Sequence, residues 1–308
     1  MSGLEHLTAS EAAAQLSADK LTAEALTRAC LERAHTGAGI KAWAWLDPEQ
    51  ALAQARAIDR AGRNGRLAGV PVGVKDIIDT VGIMARSVGD IALFCAAMMA
   101  IPYAPPAMPE AGPRLGLCRG PHWDEAQPEG RAVLEAAAKR LAAAGAVVSD
   151  TEAPPESADG DERQRILGAF EGLRNHMPEL HRHEALLSAR LREEKIALGR
   201  QLTLDQFRTA CRGAERARVA AQNWASGFDA ILTLPAAGQA PRGLADTGSA
   251  AFNALWTQLY MPCLTLPAGR GPDGLPVGVQ LVARRHTDER LLAIALWVEQ
   301  RLAEGGRP

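Results

Sequence analysis

Between Arg114 and Ser149 the chain runs strand, helix, strand, and no other stretch constrains the fold as much. Arg114-Leu-Gly-Leu-Cys118 reads as a short apolar strand. Pro128 to Ala144 is amphipathic, with Val133, Leu134, Ala137, Leu141 and Ala144 on one face and Gly145 as its stop. Ala146-Val-Val-Ser149 is the next strand. Two strands joined through a helix of this length suggest a parallel pair with a crossover helix on the sheet, hence an α/β fold.

The remaining segments fit around that unit. Thr8 and Ser10 precede Glu11-Ala-Ala-Ala-Gln-Leu16, a helix start, and Thr22 caps a second helix carrying Leu26, Ala29, Cys30 and Ala34. Ala42-Trp-Ala-Trp-Leu46 reads as a short strand, and Asp47-Pro48 opens a third helix that ends at Gly62 and Gly65. Ser87 and Asp90 read as cap and capping-box partner of a helix reaching about Ala100. Residues 161 to 227 are mainly helical, with Arg190 and Glu194 paired on a solvated face and Asp205 near the start of the last long helix. Phe228 to Pro235 is a buried strand, Gly238 to Gly248 a loop, and Ala250 to Tyr260 a short helix. Pro262 to Gly269 and Gly274 to Val282 form a hairpin, and a final helix begins near Asp288.

One charged residue stands out. Arg66 to Thr80 contains Val70, Val72, Val74, Ile77 and Ile78, punctuated by Gly69 and Gly73, and at its centre lies Lys75. The run reads as a buried strand leading into a loop, where a lysine is costly unless its charge is paired or suppressed. The alternative is a lysine whose stem lies along apolar surface while its ammonium reaches water.

Composition narrows the function. With 308 residues, 47% hydrophobic and 23% charged, the chain is an ordinary globular protein of one large or two smaller domains. A net charge of −2 with no basic block argues against nucleic acid. Five scattered cysteines imply reduced thiols and a cytoplasmic setting. No basic-then-apolar N-terminal run signals secretion, and the apolar stretch Ile91 to Ala104 is too short for a membrane span and is broken by Pro102. His181, His183 and Glu184 are a weak metal motif, and neither a metal nor a cofactor is expected.

Four segments occur in a specific order: Leu67-Ala-Gly-Val-Pro-Val-Gly-Val-Lys-Asp-Ile-Ile-Asp79, Asp79-Thr-Val-Gly-Ile-Met-Ala-Arg-Ser-Val-Gly-Asp-Ile-Ala-Leu93, Leu266-Pro-Ala-Gly-Arg270 and Gly274-Leu-Pro-Val-Gly-Val-Gln-Leu281. Together they closely resemble the amidase signature family, amide hydrolases with a serine–cis-serine–lysine triad. The resemblance covers nearly the whole chain and implies an α/β/α fold around a mixed sheet, as a single domain over residues 1–308. It implies that Lys75 is the general base, acting through the cis-serine on the nucleophilic serine. It also places the helix bearing Phe252, Asn253 and Trp256 beside the substrate region; core packing is the other explanation for these three.

One part of the family pattern is absent. The family carries a glycine- and serine-rich segment between the lysine motif and the Asp-Thr-Val-Gly motif, and it supplies both serines and the oxyanion-hole amides. Here the two motifs are fused at Asp79-Thr80. Loss of a segment between two short direct repeats explains such a seam. No Gly-x-Ser-x-Gly occurs elsewhere. The sheet is then expected to be incomplete, with strand edges that a second copy or a partner chain would cover. Three functions follow: an amidase-family protein that hydrolysed carboxamide C–N bonds ancestrally and is now inactive or severely impaired, an active amidase completed by a partner chain or a rewired site, and a non-catalytic ligand-binding or scaffold protein.

Overall fold

The computed structural model describes residues 3–43, 45–62, 65–74, 82–243 and 246–303. The chain divides into two compact units, Met1–Ala107 and Met108–Pro308, each taken by itself below.

The first unit is helical: α1 (Ala9–Ser17), α2 (Ala23–Thr36), α3 (Pro48–Ala61) and α4 (Val88–Met98). Each helix begins at the side-chain cap expected from sequence. Thr8 and Glu11 form a reciprocal capping box on α1. Thr22 accepts from Ala25 N, Asp47 from Gln50 N with Pro48 in the first turn, and Ser87 from Asp90 N. Two carboxylates also cap helices other than their own. Asp59 of α3 accepts from Ala23 N (2.9 Å) and Glu24 N (3.0 Å) at the start of α2. Asp90 of α4, 1% exposed, accepts from Ala9 N (3.2 Å), Ser10 N (2.9 Å) and Ser10 Oγ (2.6 Å) at the start of α1. These bonds satisfy donors that a helix start leaves without intrahelical partners, and they favour the positive end of the helix dipole. The core beneath is Ala12, Leu16, Leu21, Ala23, Leu26 and Ala55.

Two stretches expected as strands are irregular among the described residues of this unit. Ala42, Trp43, Trp45 and Leu46 are irregular, and Trp45 is 71% exposed. They form the connector between a left-handed Lys41 (φ 53°) and the Asp47 cap, and among the described residues no strand pairs with them. Residues 70–74 are likewise irregular, with Val72 and Val74 exposed rather than buried. Period-2 alternation and β-branched residues favour a strand only where another strand supplies hydrogen bonds.

The second unit carries the sheet. In chain order it holds β1 (Arg114–Leu117), α5 (Pro128–Ala143), β2 (Val147–Asp150), α6 (Gly160–Asn175), α7 (Met177–His183), α8 (Ala197–Gln201), α9 (Leu204–Ala225), β3 (Ala230–Thr233), α10 (Ala251–Leu259), β4 (Cys263–Arg270), β5 (Pro276–Val282) and α11 (Asp288–Ala303). The strand order is β2-β1-β3-β5-β4. β1 runs parallel to β2 and β3, joined to β2 by the expected α5 crossover, while β5 is antiparallel to both β3 and β4. The mixed α/β class and the hairpin match the sequence reading.

All four residues of β3 are buried, so both faces of the sheet are covered at its centre. On one face Ile231 and Val282, which are register partners, pack with Ala217, Ala221 and Ala225 of α9 and Leu255, Trp256 and Leu259 of α10. α5 and α11 pack against β4 and β5. The alanine stripe on α9 lets a helix lie close to the sheet and to the indole of Trp256. Among the described residues, no helix is long and apolar enough to cross a membrane.

Candidate functional site

Lys75 and the seam at Asp79-Thr80 lie outside the described residues. The flanks are described. Val70 to Val74 and Gly82 to Arg86 line one groove of about 460 Å³ in the first unit, together with Leu7, Leu26, Phe94 and Met98. Ser87, the serine nearest this region, is committed to structure. Its Oγ accepts from Asp90 N at 3.1 Å as the cap of α4. The Asp90 carboxylate does not return to Ser87, as a capping box would have it, but crosses to α1.

Three other described hydroxyls are similarly engaged. Ser188 accepts from Leu191 N (3.2 Å), Ser249 accepts from Ala251 N (3.2 Å), and Ser226 donates to Asn223 O (2.6 Å). Ser157 Oγ is buried without a hydrogen-bond partner. Two of the thiols are no better as nucleophiles. Burial pushes Cys30 and Cys118 above the ordinary thiol range, which keeps both protonated near neutrality.

The three α10 residues separate by role. Trp256 is 2% exposed and stacks on Trp224, ring centroids 6.4 Å apart. Phe252 is buried and packs against the His122 ring at 6.2 Å. Asn253 donates its Nδ2 hydrogen to the Pro235 carbonyl at 2.7 Å, tying α10 to the end of β3. Packing accounts for the two aromatics, and Asn253 fixes the loop that follows β3.

The most developed polar cluster was not singled out from the sequence. It lies at the carboxyl ends of the parallel strands β1 and β2, the position where open α/β sheets offer a crevice. A cleft of about 630 Å³ is lined there by Arg119, Pro121, Asp150, Glu152, Ser157 and Leu255, among others. Arg119 is held by Glu135, at 2.7 Å from Nη2 and 3.0 Å from Nε, and by Asp150, so its charge is firmly fixed. His122 Nδ1 lies 2.7 Å from Glu125 Oε1, and its Nε2 lies 3.0 Å from Asp161 Oδ2. Desolvation works against the imidazolium, and the hydrogen bonds to Glu125 and Asp161 outweigh it, so the pKa lies above its ordinary value. The His122-x-x-Glu125 spacing was visible in the sequence; Asp161 is too far along the chain for spacing to reveal it. Among the described residues, no group of three or more His, Cys, Asp or Glu side chains is placed to hold a metal ion, and His181, His183 and Glu184 are not brought together as one.

Comparison with known proteins completes the description. The sequence model of the amidase family matches residues 25–82 and 77–292, so residues 77–82 fall within both runs. The 2-amino-5-chloromuconic acid deaminase of Comamonas testosteroni is 31% identical over 251 residues, covering 74% of this chain and 52% of that protein. The chain thus spans about half the length of this relative. A glutamyl-tRNA(Gln) amidotransferase subunit from Chloroflexus aggregans is 47% identical over 88 residues, 27% of this chain and 18% of that protein. Among solved structures, a crystal structure of amidase superposes with a TM-score of 0.78 at 18% identity, over 96% of this chain and 100% of that one. Fatty acid amide hydrolase superposes with a TM-score of 0.74 at 14% identity, over 97% of this chain and 86% of that one. At such identities the structural likeness speaks to fold alone.

Proposed function

This chain belongs to the amidase family, and we propose that it is an amide hydrolase by descent whose own polypeptide no longer carries the nucleophile. One observation carries the reading: the two family-matching runs overlap at residues 77–82. Two runs sharing a short stretch are what remains when a segment between similar sequences is lost and one copy survives. On this reading residues 1–308 are one family domain with an internal loss at about Asp79-Thr80, and its missing elements leave the sheet incomplete. The half-length coverage of the chloromuconic acid deaminase supports it.

The chemical consequence is direct. Hydrolysis of a carboxamide C–N bond by a serine–cis-serine–lysine triad needs a hydroxyl to attack the carbonyl and a base to take its proton. It also needs donors to hold the oxyanion. Lys75 is the base in that scheme. Without the serines it has no proton to accept, and without the glycine-rich amides the tetrahedral intermediate has no partner. When catalytic groups that act as a unit are lost, the remainder contributes little beyond binding. Any ligand is then a small amide, met in the cytoplasm without cofactor or nucleic acid.

A second reading has a specific observation behind it. The glutamyl-tRNA(Gln) amidotransferase relative is by its name one chain of a larger assembly, and its match here is the highest in identity of those above. A partner chain that supplied the serines would restore the triad around Lys75. A serine-directed fluorophosphonate probe separates the two. The purified chain stays unlabelled under the first reading. Labelling of the chain alone overturns it, and labelling of a co-purified partner favours the second.

A further inference from the structure

His122 is a crosslink between two segments that line the same cleft. Gly120 and Pro121 precede it and line the cleft, as do Ser157 and Ala158, which lead into α6, whose first turn holds Asp161. The side chain spans the two and is 15% exposed. Glu125, on the short 3-10 turn Trp123–Glu125, receives Nδ1 at 2.7 Å, and Asp161 receives Nε2 at 3.0 Å. Phe252 of α10 backs the ring.

Only the imidazolium has two N–H groups to donate. A neutral ring keeps one and turns a lone pair toward the other carboxylate, which repels it. The Glu125 contact lies within one local turn and survives loss of a proton at Nε2, whereas the Asp161 contact joins residues 39 apart in sequence. The other charged groups around the ring are already committed. Arg119, which lines the small cavity shared by His122 and Phe252, is bound by Glu135 and Asp150. Arg131 of α5 donates to the carbonyls of Ala126 and Asp124. On α6, Arg163 pairs with Asp159. The positive end of the α6 dipole disfavours a cation nearby, so the imidazolium depends on the Asp161 carboxylate.

We propose that His122 is a proton-operated strap beside the cleft at the ends of β1 and β2: charged, it ties residues 118–122 to the start of α6, and neutral, it lets them part. The strap is closed at low pH and opens as pH rises through the folded-state pKa, which lies above 6.5.

The test combines an NMR titration of the His122 ring with amide hydrogen exchange of residues 118–122 and 157–161, corrected for intrinsic exchange, on the full chain from about pH 5.5 to about pH 9. In the wild type, protection of Ser157 and Ala158, whose N–H groups donate to the Pro154 and Pro155 carbonyls, falls by about tenfold as the ring deprotonates. Asp161→Asn lowers the His122 pKa and removes the step in protection. His122→Gln gives the low level at every pH. A ring that titrates with no change in protection, or a step that survives in Asp161→Asn, overturns the proposal. If His122→Gln does not fold, the wild-type and Asp161→Asn measurements still decide.

Discussion

Replacing Asp90 tests why the serine motif beside the seam exists. Its carboxylate is buried and serves α1, accepting from Ala9 N, Ser10 N and Ser10 Oγ. Thr8 takes the third donor of that helix start, Glu11 N, at 3.2 Å. Asp90→Ala leaves three donors without an acceptor. Ser10 itself is exposed, so water recovers part of each bond, and the full penalty for a buried orphan does not apply. Loss of the anion at the helix start costs about 1 kcal/mol, and the orphaned donors add about 1–3 kcal/mol. The sum, about 2–4 kcal/mol, lowers the protection of α1 amides about 30- to 900-fold in hydrogen exchange. Ser87→Ala, which removes only the α4 cap, costs about 1 kcal/mol. Asp90→Asn keeps the shape and loses the charge, and falls between them. The reasoning is refuted if α1 protection in Asp90→Ala equals that of the wild type, or if Ser87→Ala is the more damaging of the two.

Further outcomes follow from α10 and from the base of β3. Trp256→Ala removes a buried indole stacked on Trp224 and lowers stability by about 3–5 kcal/mol in denaturant melts. A small stability loss with a large loss of amide binding would instead make it a substrate contact. Asp229 is held below its ordinary 3.8. Desolvation opposes this, and the Arg114 backbone N–H at 2.7 Å and Arg290 prevail. A depressed carboxyl stabilises the fold above about pH 3.8, and the contribution is lost as pH falls through the lower folded value. Asp229→Asn therefore destabilises near neutrality and flattens the acid limb of the stability–pH curve; an unchanged acid limb would contradict this.

Local signals were the legible ones. Thr8, Thr22, Asp47 and Ser87 mark helix starts because a cap is a bond between residues three apart. The crossover around α5 and the β4–β5 hairpin were legible because length and turn chemistry fix strand direction. What failed depends on distant partners. The Trp43–Trp45 and Val70–Val74 runs have strand composition, but no strand pairs with them among the described residues. Asp90 has the spacing of a capping box, yet its carboxylate is claimed by α1, about 80 residues earlier. His122 showed half of its environment in Glu125 and hid the other half in Asp161. For α10 the sequence left packing and substrate contact as alternatives, and burial of Phe252 and Trp256 supplies the packing.

The central claim is that Lys75 is a base with no serine to serve. The direct measurement is the rate of amide hydrolysis by the folded wild-type chain and by Lys75→Ala, prepared alike and checked by circular dichroism. The account predicts equal rates, both at the level of the uncatalysed reaction. Turnover by the wild type that is largely lost in Lys75→Ala would show that a complete catalytic set is present, and would contradict it.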